Sequence, residues 1–459
     1  MASVRATCVA LFLGTMGMVG CASEDAAEDG EHDPIVGEDT KADSVWFVED
    51  NSWDSEAVLR LVNRADYETL YDQAGLTRWP ARAIADAPKP IRTLSALDDI
   101  SWVGPQTFYK LKTYAVANGY GPKLGEEYAP DGEAKAIDGT MLAMSGIMLK
   151  KYMSGAMPRG QHAKAHGCVQ ATFEVDGSVP AALRAGVFAQ PGSFRAIARF
   201  SNGDSMVKAD SEKDVRGLAI KVIGVPGTKI LPEEANATTQ DFLLINHPTL
   251  MVRNVLTYAD FINRANSSNQ FSIITFFLSL DIADWELRGL TTLLGMISHK
   301  VANPLDAQYF STTPYKLGTA AVKYSARPCT AAPEPMVPAN PGPNYLREAL
   351  QNAVRTTDAC FELMVQPQTD ARAMPIEDPT VEWSEAKSPF VKVATLRIPA
   401  QTFDTAEQNA ACENLSYTPW HSLEAHRPLG GINRARKVVY HAISVMRHGR
   451  NGAEASEPR

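Results

Sequence analysis

Two stretches carry side chains whose types and spacing could do chemistry. In RARKVVYHAISVMRH, residues 434 to 448, Arg436, Tyr440 and Arg447 stand at i, i+4 and i+11. On a helix that spacing puts them within about 40° of one another, in a single stripe. Two cations therefore flank one phenol, an arrangement that packing against a core does not require. Val438, Val439, Ala442 and Val445 occupy the other face and read as packing against a core.

The second stretch, RGQHAKAHG at 159 to 167, sets His162 close to Arg159 and Lys164, just ahead of a strand. Histidine is the side chain best suited to take up and return a proton near neutral pH. In FRAIARFSN, alternation points Arg199 and Ser201 to one face and Ala198 and Phe200 to the other, so the first face requires a polar partner. DVRGLAIKV then places Asp214 and Arg216 ahead of a strand whose Leu218, Ile220 and Val222 share a face.

The elements that must hold these groups are legible as β-branched and aromatic runs: CVQATFEV, FRAIARFSN, RGLAIKVIG, DFLLINH, AAVKYSARP, FELMVQ and FVKVATLRI. Seven strands without regular strand-helix alternation predict an α+β chain built on an antiparallel barrel. Helical insertions are expected over 253 to 301 and from 403 to the C-terminus, with a Pro-rich loop at 331 to 343. The barrel domain is assigned to 128–450.

Ahead of it, 45–120 reads as a small helical domain, followed by a linker over 119 to 132, GYGPKLGEEYAPDG. Val103, Gly104 and Leu111 resemble the helix-hairpin-helix motif, whose hairpin amides grip a DNA phosphate. The net charge of −9 argues against a broad basic nucleic-acid face, so no nucleic-acid partner is expected. With 45% apolar and 21% charged residues in a chain of 459, the composition is that of a globular protein.

Residues 1–21 form an apolar run with one early arginine, Arg5, ending in MVGC, the pattern of a secretion signal. MVGC resembles the lipobox of bacterial lipoproteins, although Met18 stands where leucine is usual; a plain cleaved signal is the alternative. The resemblance implies lipidation of Cys21, a membrane anchor and, with Ala22 after it, an outer-membrane location. Residues 22–44 read as an acidic, solvated tether. Of the remaining cysteines, Cys168 reads as a small core residue, Cys412 carries no assignment, and Cys329 and Cys360 bracket a loop that a disulfide could close.

With Arg159, His162, Ala163 and Lys164, then ARFSNG, DVRGLAIKV and HRPLGGINRARKVVY, the chain resembles the catalase family over about 158 to 448, in its short single-domain branch that includes coral allene oxide synthase. The resemblance implies haem b with ferric iron held by Tyr440, and Arg436 supporting the phenolate. It implies His162 as the acid-base group oriented by Ser201, and Arg159, Arg199 and Arg447 as partners of the haem propionates. Two departures follow from the same alignment: Thr238 and Thr239 stand where catalases carry a distal asparagine, and Met251 stands near the aromatic that covers the haem. The implied activity is that of a hydroperoxidase acting on hydrogen peroxide or organic hydroperoxides. A fatty-acid hydroperoxide isomerase and a non-catalytic haem-binding surface lipoprotein are the alternatives. A zinc site built from His162, His166 and His247 is the competing reading of the histidines alone.

Overall fold

The computed structural model describes residues 44–265, 272–278, 286–330, 336–454 and 457–458. The segment read as a secretion signal, Cys21 and nearly all of the segment read as an acidic tether lie outside the described residues.

All seven expected strands form. They are β1 (Ala165–Val175), β2 (Gly192–Asn202), β3 (Arg216–Ile223), β4 (Thr239–Ile245), β7 (Ala320–Pro328), β8 (Ala359–Pro367) and β9 (Val391–Ile398). Two shorter ones, β5 (Tyr309–Phe310) and β6 (Tyr315–Leu317), were too brief to show a period. The order β8-β9-β1-β2-β3-β4-β5-β7 closes through antiparallel pairing of β7 with β8, giving an eight-stranded barrel, and β6 adds a hairpin on β7. Closure removes the exposed sheet edges that an open sheet would present.

The period-two pattern decides which side chains fill the barrel. Ala198 and Phe200 of β2, Leu218, Ile220 and Val222 of β3, and Phe242 and Leu244 of β4 join one buried core. Arg199 and Ser201 therefore point outward, where helices pack. Phe173, Phe188, Phe242 and Tyr324 pack ring against ring around His426. His426 Nε2 accepts the Val187 N–H at 2.9 Å, so its Nδ1 carries the proton and faces the Tyr324 hydroxyl at 2.9 Å. This histidine of the HRPLGG segment is a neutral plug of the barrel rather than a reactive group.

Residues 44 to 120 form a short ribbon and the helices α1 (Trp53–Arg64), α2 (Arg78–Asp86), α3 (Leu94–Asp98) and α4 (Pro105–Ala117) around a separate core of Val58, Leu61, Leu94, Phe108 and Leu111. Asp54 of α1 pairs with Arg372 at 2.8 Å, and Glu49 pairs with Arg253, joining this bundle to the barrel domain. Helix α5 (Glu133–Lys151), which the sequence pattern did not reveal, lies against α6 (Val255–Ala265) and the C-terminal α11 (Gly431–Asn451). Its apolar residues Met144 and Met148 pack with Ile262, Val439 and Ile443. Helices α7 (Ser272–Phe277) and α8 (Leu287–Ser298) complete the first helical insertion; α9 (Tyr345–Val354) and α10 (Ala406–Asn414) flank β8 and β9 in the chain. Among the described residues no helix is long and apolar enough to cross a membrane.

Helix α11 carries one departure from the sequence pattern. Val439 is buried, but Val438 is 37% and Val445 is 56% exposed, so the face read as core packing is divided. Val438 and Val445 instead line the cavity described below.

Candidate active site

A cavity of about 840 Å³ opens between the outer face of β2 to β4 and helix α11. His162, Arg199, Ser201, Arg436, Tyr440 and Arg447 all line it, so residues from 159 to 447 converge on one space.

His162 owes its position to three local features. Its backbone is left-handed, with φ 57°, held by its N–H bonding to the Gly203 carbonyl at 3.0 Å. Its Nδ1 lies 3.0 Å from Ser201 Oγ, which leaves Nε2 for the cavity. Gly217 on β3 supplies the room. Burial, followed by the charges of Arg199, Arg436 and Arg159, pushes the imidazole down to about 4, so it is neutral at pH 7 and able to accept a proton.

Tyr440 faces the same cavity from α11, and among the described residues its hydroxyl has no hydrogen-bond partner. Arg436, one turn earlier, donates to Thr313 Oγ1 at 3.0 Å and Asn433 Oδ1 at 3.1 Å, which fixes the guanidinium. A third group is the cluster of Arg159, Arg199 and Arg447. Arg159 donates to the carbonyls of Cys412 and Glu413, both at 3.1 Å, and of Leu415 at 2.5 Å; Arg447 shares the Glu413 and Leu415 carbonyls. Arg199 donates to the His162 carbonyl at 2.9 Å, while its buried Nε has no partner among the described residues. Glu413 is the carboxylate among them, 3.5 Å from both Arg159 and Arg199. Three guanidinium groups against one carboxylate leave two positive charges unbalanced, and the Arg159 guanidinium is pushed down to about 9 by burial first and by its cationic neighbours Arg199 and Arg447. Two propionate carboxylates would balance those charges, and an unbonded phenol is a ligand type that ferric iron takes, so the residues present fit a haem.

The C-terminal turn of α10, which receives Arg159 and Arg447, is tied to β1 by a disulfide between Cys168 and Cys412. Cys168 is therefore not the lone core cysteine its strand position suggested; two cysteines 244 residues apart gave no sequence signal. Cys329 and Cys360 are also joined.

The other expected residues fall elsewhere. Thr239 is buried and gives its hydroxyl to Glu457 at 2.6 Å, and it is the Glu457 carboxylate that lines the cavity. Met251 is not among the lining residues; it packs beside Val252, Phe276 and Phe277. His166 is fully buried beside Asp210, and Lys164 bonds Asp210 at 2.8 Å, away from the cavity. His162, His166 and His247 do not converge. Among the described residues the one set with metal-ligand proximity is Asp241, His421 and Glu457, and the Lys221 ammonium already stands among those three. Sequence reasoning missed this cluster because its members are spread over 236 residues.

Solved structures share this arrangement of barrel and helices. A fungal catalase superposes with a TM-score of 0.51 at 16% identity, over 71% of this chain and 65% of its own. Catalase A from Saccharomyces cerevisiae gives 0.51 at 17% identity, over 72% of this chain and 69% of its own. The fold is that of the catalases. The chain thus spans about 65% of the length of that fungal catalase. No protein-family model matches the sequence, and no curated protein matches it either. Within the catalase-like fold the barrel supplies His162 and Ser201, the C-terminal helix supplies Tyr440, and the arginine cluster stands at one side of the space between them.

Proposed function

We propose that the chain is a haem-dependent hydroperoxidase that acts on hydrogen peroxide or organic hydroperoxides. The observation that carries this reading is the convergence of a neutral His162, a free Tyr440 hydroxyl and an arginine cluster short of two negative charges on one cavity. Tyr440 Oη would ligate the iron, with the Arg436 guanidinium one turn away; Arg159, Arg199 and Arg447 would pair with the propionates. Bound there, ferric haem would supply the centre at which a peroxide O–O bond is cleaved. His162 Nε2 takes the proton of the incoming hydroperoxide and returns it to the departing oxygen, while Ser201 holds the ring through Nδ1. Leu231, Leu243 and Met141 make part of the cavity wall apolar, which favours organic hydroperoxides alongside hydrogen peroxide.

The leader sequence and the two disulfides support a place outside the reducing cytoplasm. We place the protein on the outer membrane, anchored through Cys21. Reconstitution with haemin tests the cofactor: a ferric tyrosinate-type absorption band is expected, with one haem per chain. Peroxide consumption by the loaded protein tests the activity; a stoichiometric haem complex that consumes neither hydrogen peroxide nor cumene hydroperoxide would reduce it to a haem-binding protein.

A further inference from the structure

The cavity wall holds a second set of charged groups that the peroxide chemistry does not use. Lys221 of β3 is fully buried, and its Nζ reaches Asp241 Oδ1 at 2.9 Å, His421 Nδ1 at 3.2 Å and Glu457 Oε2. His421 Nδ1 lies 2.8 Å from Asp241, and Nε2 lies 3.1 Å from Glu234 on the rim. A carboxylate at each ring nitrogen is the environment of an imidazolium, since both nitrogens then donate. Asp241 and, on the rim, Glu234 answer the two positive charges of Lys221 and His421. An ammonium has three hydrogens to donate, so Lys221 still has one to give to a further anion.

That anion comes from the far end of the chain. Glu457 Oε2 accepts from Lys221 and from Thr239 Oγ1 at 2.6 Å, and Oε1 stands 3.6 Å from His421. Tyr417 adds a second observation: its ring packs under the Lys221 ammonium at 5.3 Å, and its hydroxyl is buried with no partner among the described residues, so it has a donor unused. Glu234, Tyr417, His421 and Glu457 line the same cavity as His162 and Tyr440, and Leu231, Leu243 and Val438 line it with apolar surface.

We propose that Lys221 and Thr239, beside the His421 ring, form a carboxylate seat in the wall of the active-site cavity, filled at rest by Glu457, and that a carboxylic acid with an apolar chain takes this seat when Glu457 leaves. The acid's carboxylate replaces that of Glu457 on the same donors, gains the Tyr417 hydroxyl, and lays its chain along the apolar wall towards His162. Glu457 is thereby an intramolecular competitor that occupies the Lys221 and Thr239 donors while the cavity is empty. That such an acid is a substrate rests on the hydroperoxidase reading; that it binds does not.

The test is calorimetric titration of laurate, methyl laurate and acetate into the full-length protein and into Glu457→Gln. Removing one charge-assisted competitor should tighten laurate at least about tenfold, the scale of a hydrogen bond to a charged group. Methyl laurate, which has no carboxylate, should not change between the two proteins. Adding Thr239→Val to Glu457→Gln should weaken laurate again, because one donor of the seat is gone. Equal laurate affinity with and without the Glu457 charge, or an equal gain by the methyl ester, would overturn the seat; acetate binding as tightly as laurate would overturn the apolar chain. The titrations need no peroxide turnover, and an absorption spectrum of the same samples reports separately whether the haem assignment fails.

Discussion

Gly217 and His162 are packed so closely that a Cβ on residue 217 would stand 2.5 Å from His162 Nδ1 and 2.9 Å from Ser201 Oγ. The glycine of the DVRG segment is thus a requirement of the imidazole on the neighbouring segment. Gly217→Ala must push the ring off Ser201, and a displacement near 1 Å at a reacting group costs about 10²-fold in rate. Peroxide turnover in this variant should fall by that order while haem content stays at the wild-type level. Restored turnover on addition of a small second-site change is not needed to judge it: unchanged kcat alone would show that the ring has room to spare.

Tyr440→Phe should fold, since the phenyl ring keeps the packing against the Met144, Met148 and Ile443 cluster. It should also lose most of its haem, because the iron ligand is the atom removed. Haem per chain after reconstitution is the measurement. Arg436→Leu keeps the iron ligand, so it should cost less haem than Tyr440→Phe; equal loss in the two variants would move the ligand role away from Tyr440.

The Cys168–Cys412 disulfide holds the C-terminal turn of α10, whose carbonyls receive Arg159 and Arg447. Cys412→Ser should lower stability by about 2–5 kcal/mol, the usual cost of losing a native disulfide. It should also weaken haem retention, because the arginines lose the frame that orients them. Thermal unfolding of wild type with and without reductant, beside the variant, checks both; a variant that matches the oxidised wild type in melting temperature and in haem off-rate would assign the bond no role at the site.

Much of this was legible before any coordinates. The strand pattern is strong because each strand has one face in the barrel core, so Phe200 and Leu218 announce the period that turns Arg199 and Ser201 outward. The helical stripe of Arg436, Tyr440 and Arg447 is likewise a matter of spacing. Helix α5 was not legible, because it buries small and flexible residues such as Gly139 and Met148 and so has a weak apolar stripe. The exposure of Val438 and Val445 escaped notice because a cavity wall and a core have the same composition. The Lys221 cluster and the Cys168–Cys412 pair depend on contacts across roughly half of the chain, and local periodicity carries no record of those.

Acid should unfold the protein through its buried histidines. Burial pushes both His166 and His426 down to about 3, against about 6.5 for an exposed histidine. Between those values the unfolded chain binds protons that the folded chain refuses, so stability rises with pH across that window and falls as pH drops below about 6.5. His421 works in the opposite sense. Its folded value, moved by burial and Lys221 but raised overall to about 9 by Asp241 and Glu234, contributes stability below about 6.5 that is lost as pH rises through 9. Denaturant midpoints across pH should therefore peak near neutrality. In His426→Gln the decline on the acid side should be shallower by about one proton, and an identical slope would remove this residue from the account.

The last prediction separates the acid-base role of His162 from its structural one. The ring must be neutral to accept the hydroperoxide proton, and burial together with Arg199, Arg436 and Arg159 holds it down to about 4. The rate of peroxide consumption by the haem-loaded protein, kcat/KM, should then be flat across neutral pH and drop through about 4 with the slope of one proton. His162→Gln keeps a polar group against Ser201 but cannot cycle a proton, so turnover should fall by roughly 10² to 10⁴-fold with haem content unchanged. Ser201→Ala, which leaves the imidazole but frees its Nδ1, should cost less than His162→Gln and leave the acid limb in place. A variant at 162 that loses haem in parallel with activity would mean that the histidine shapes the cavity and that the proton is handled elsewhere. A wild-type profile whose acid limb lies near 6.5 would mean that the ring is exposed in the working protein and that the arginines do not govern it.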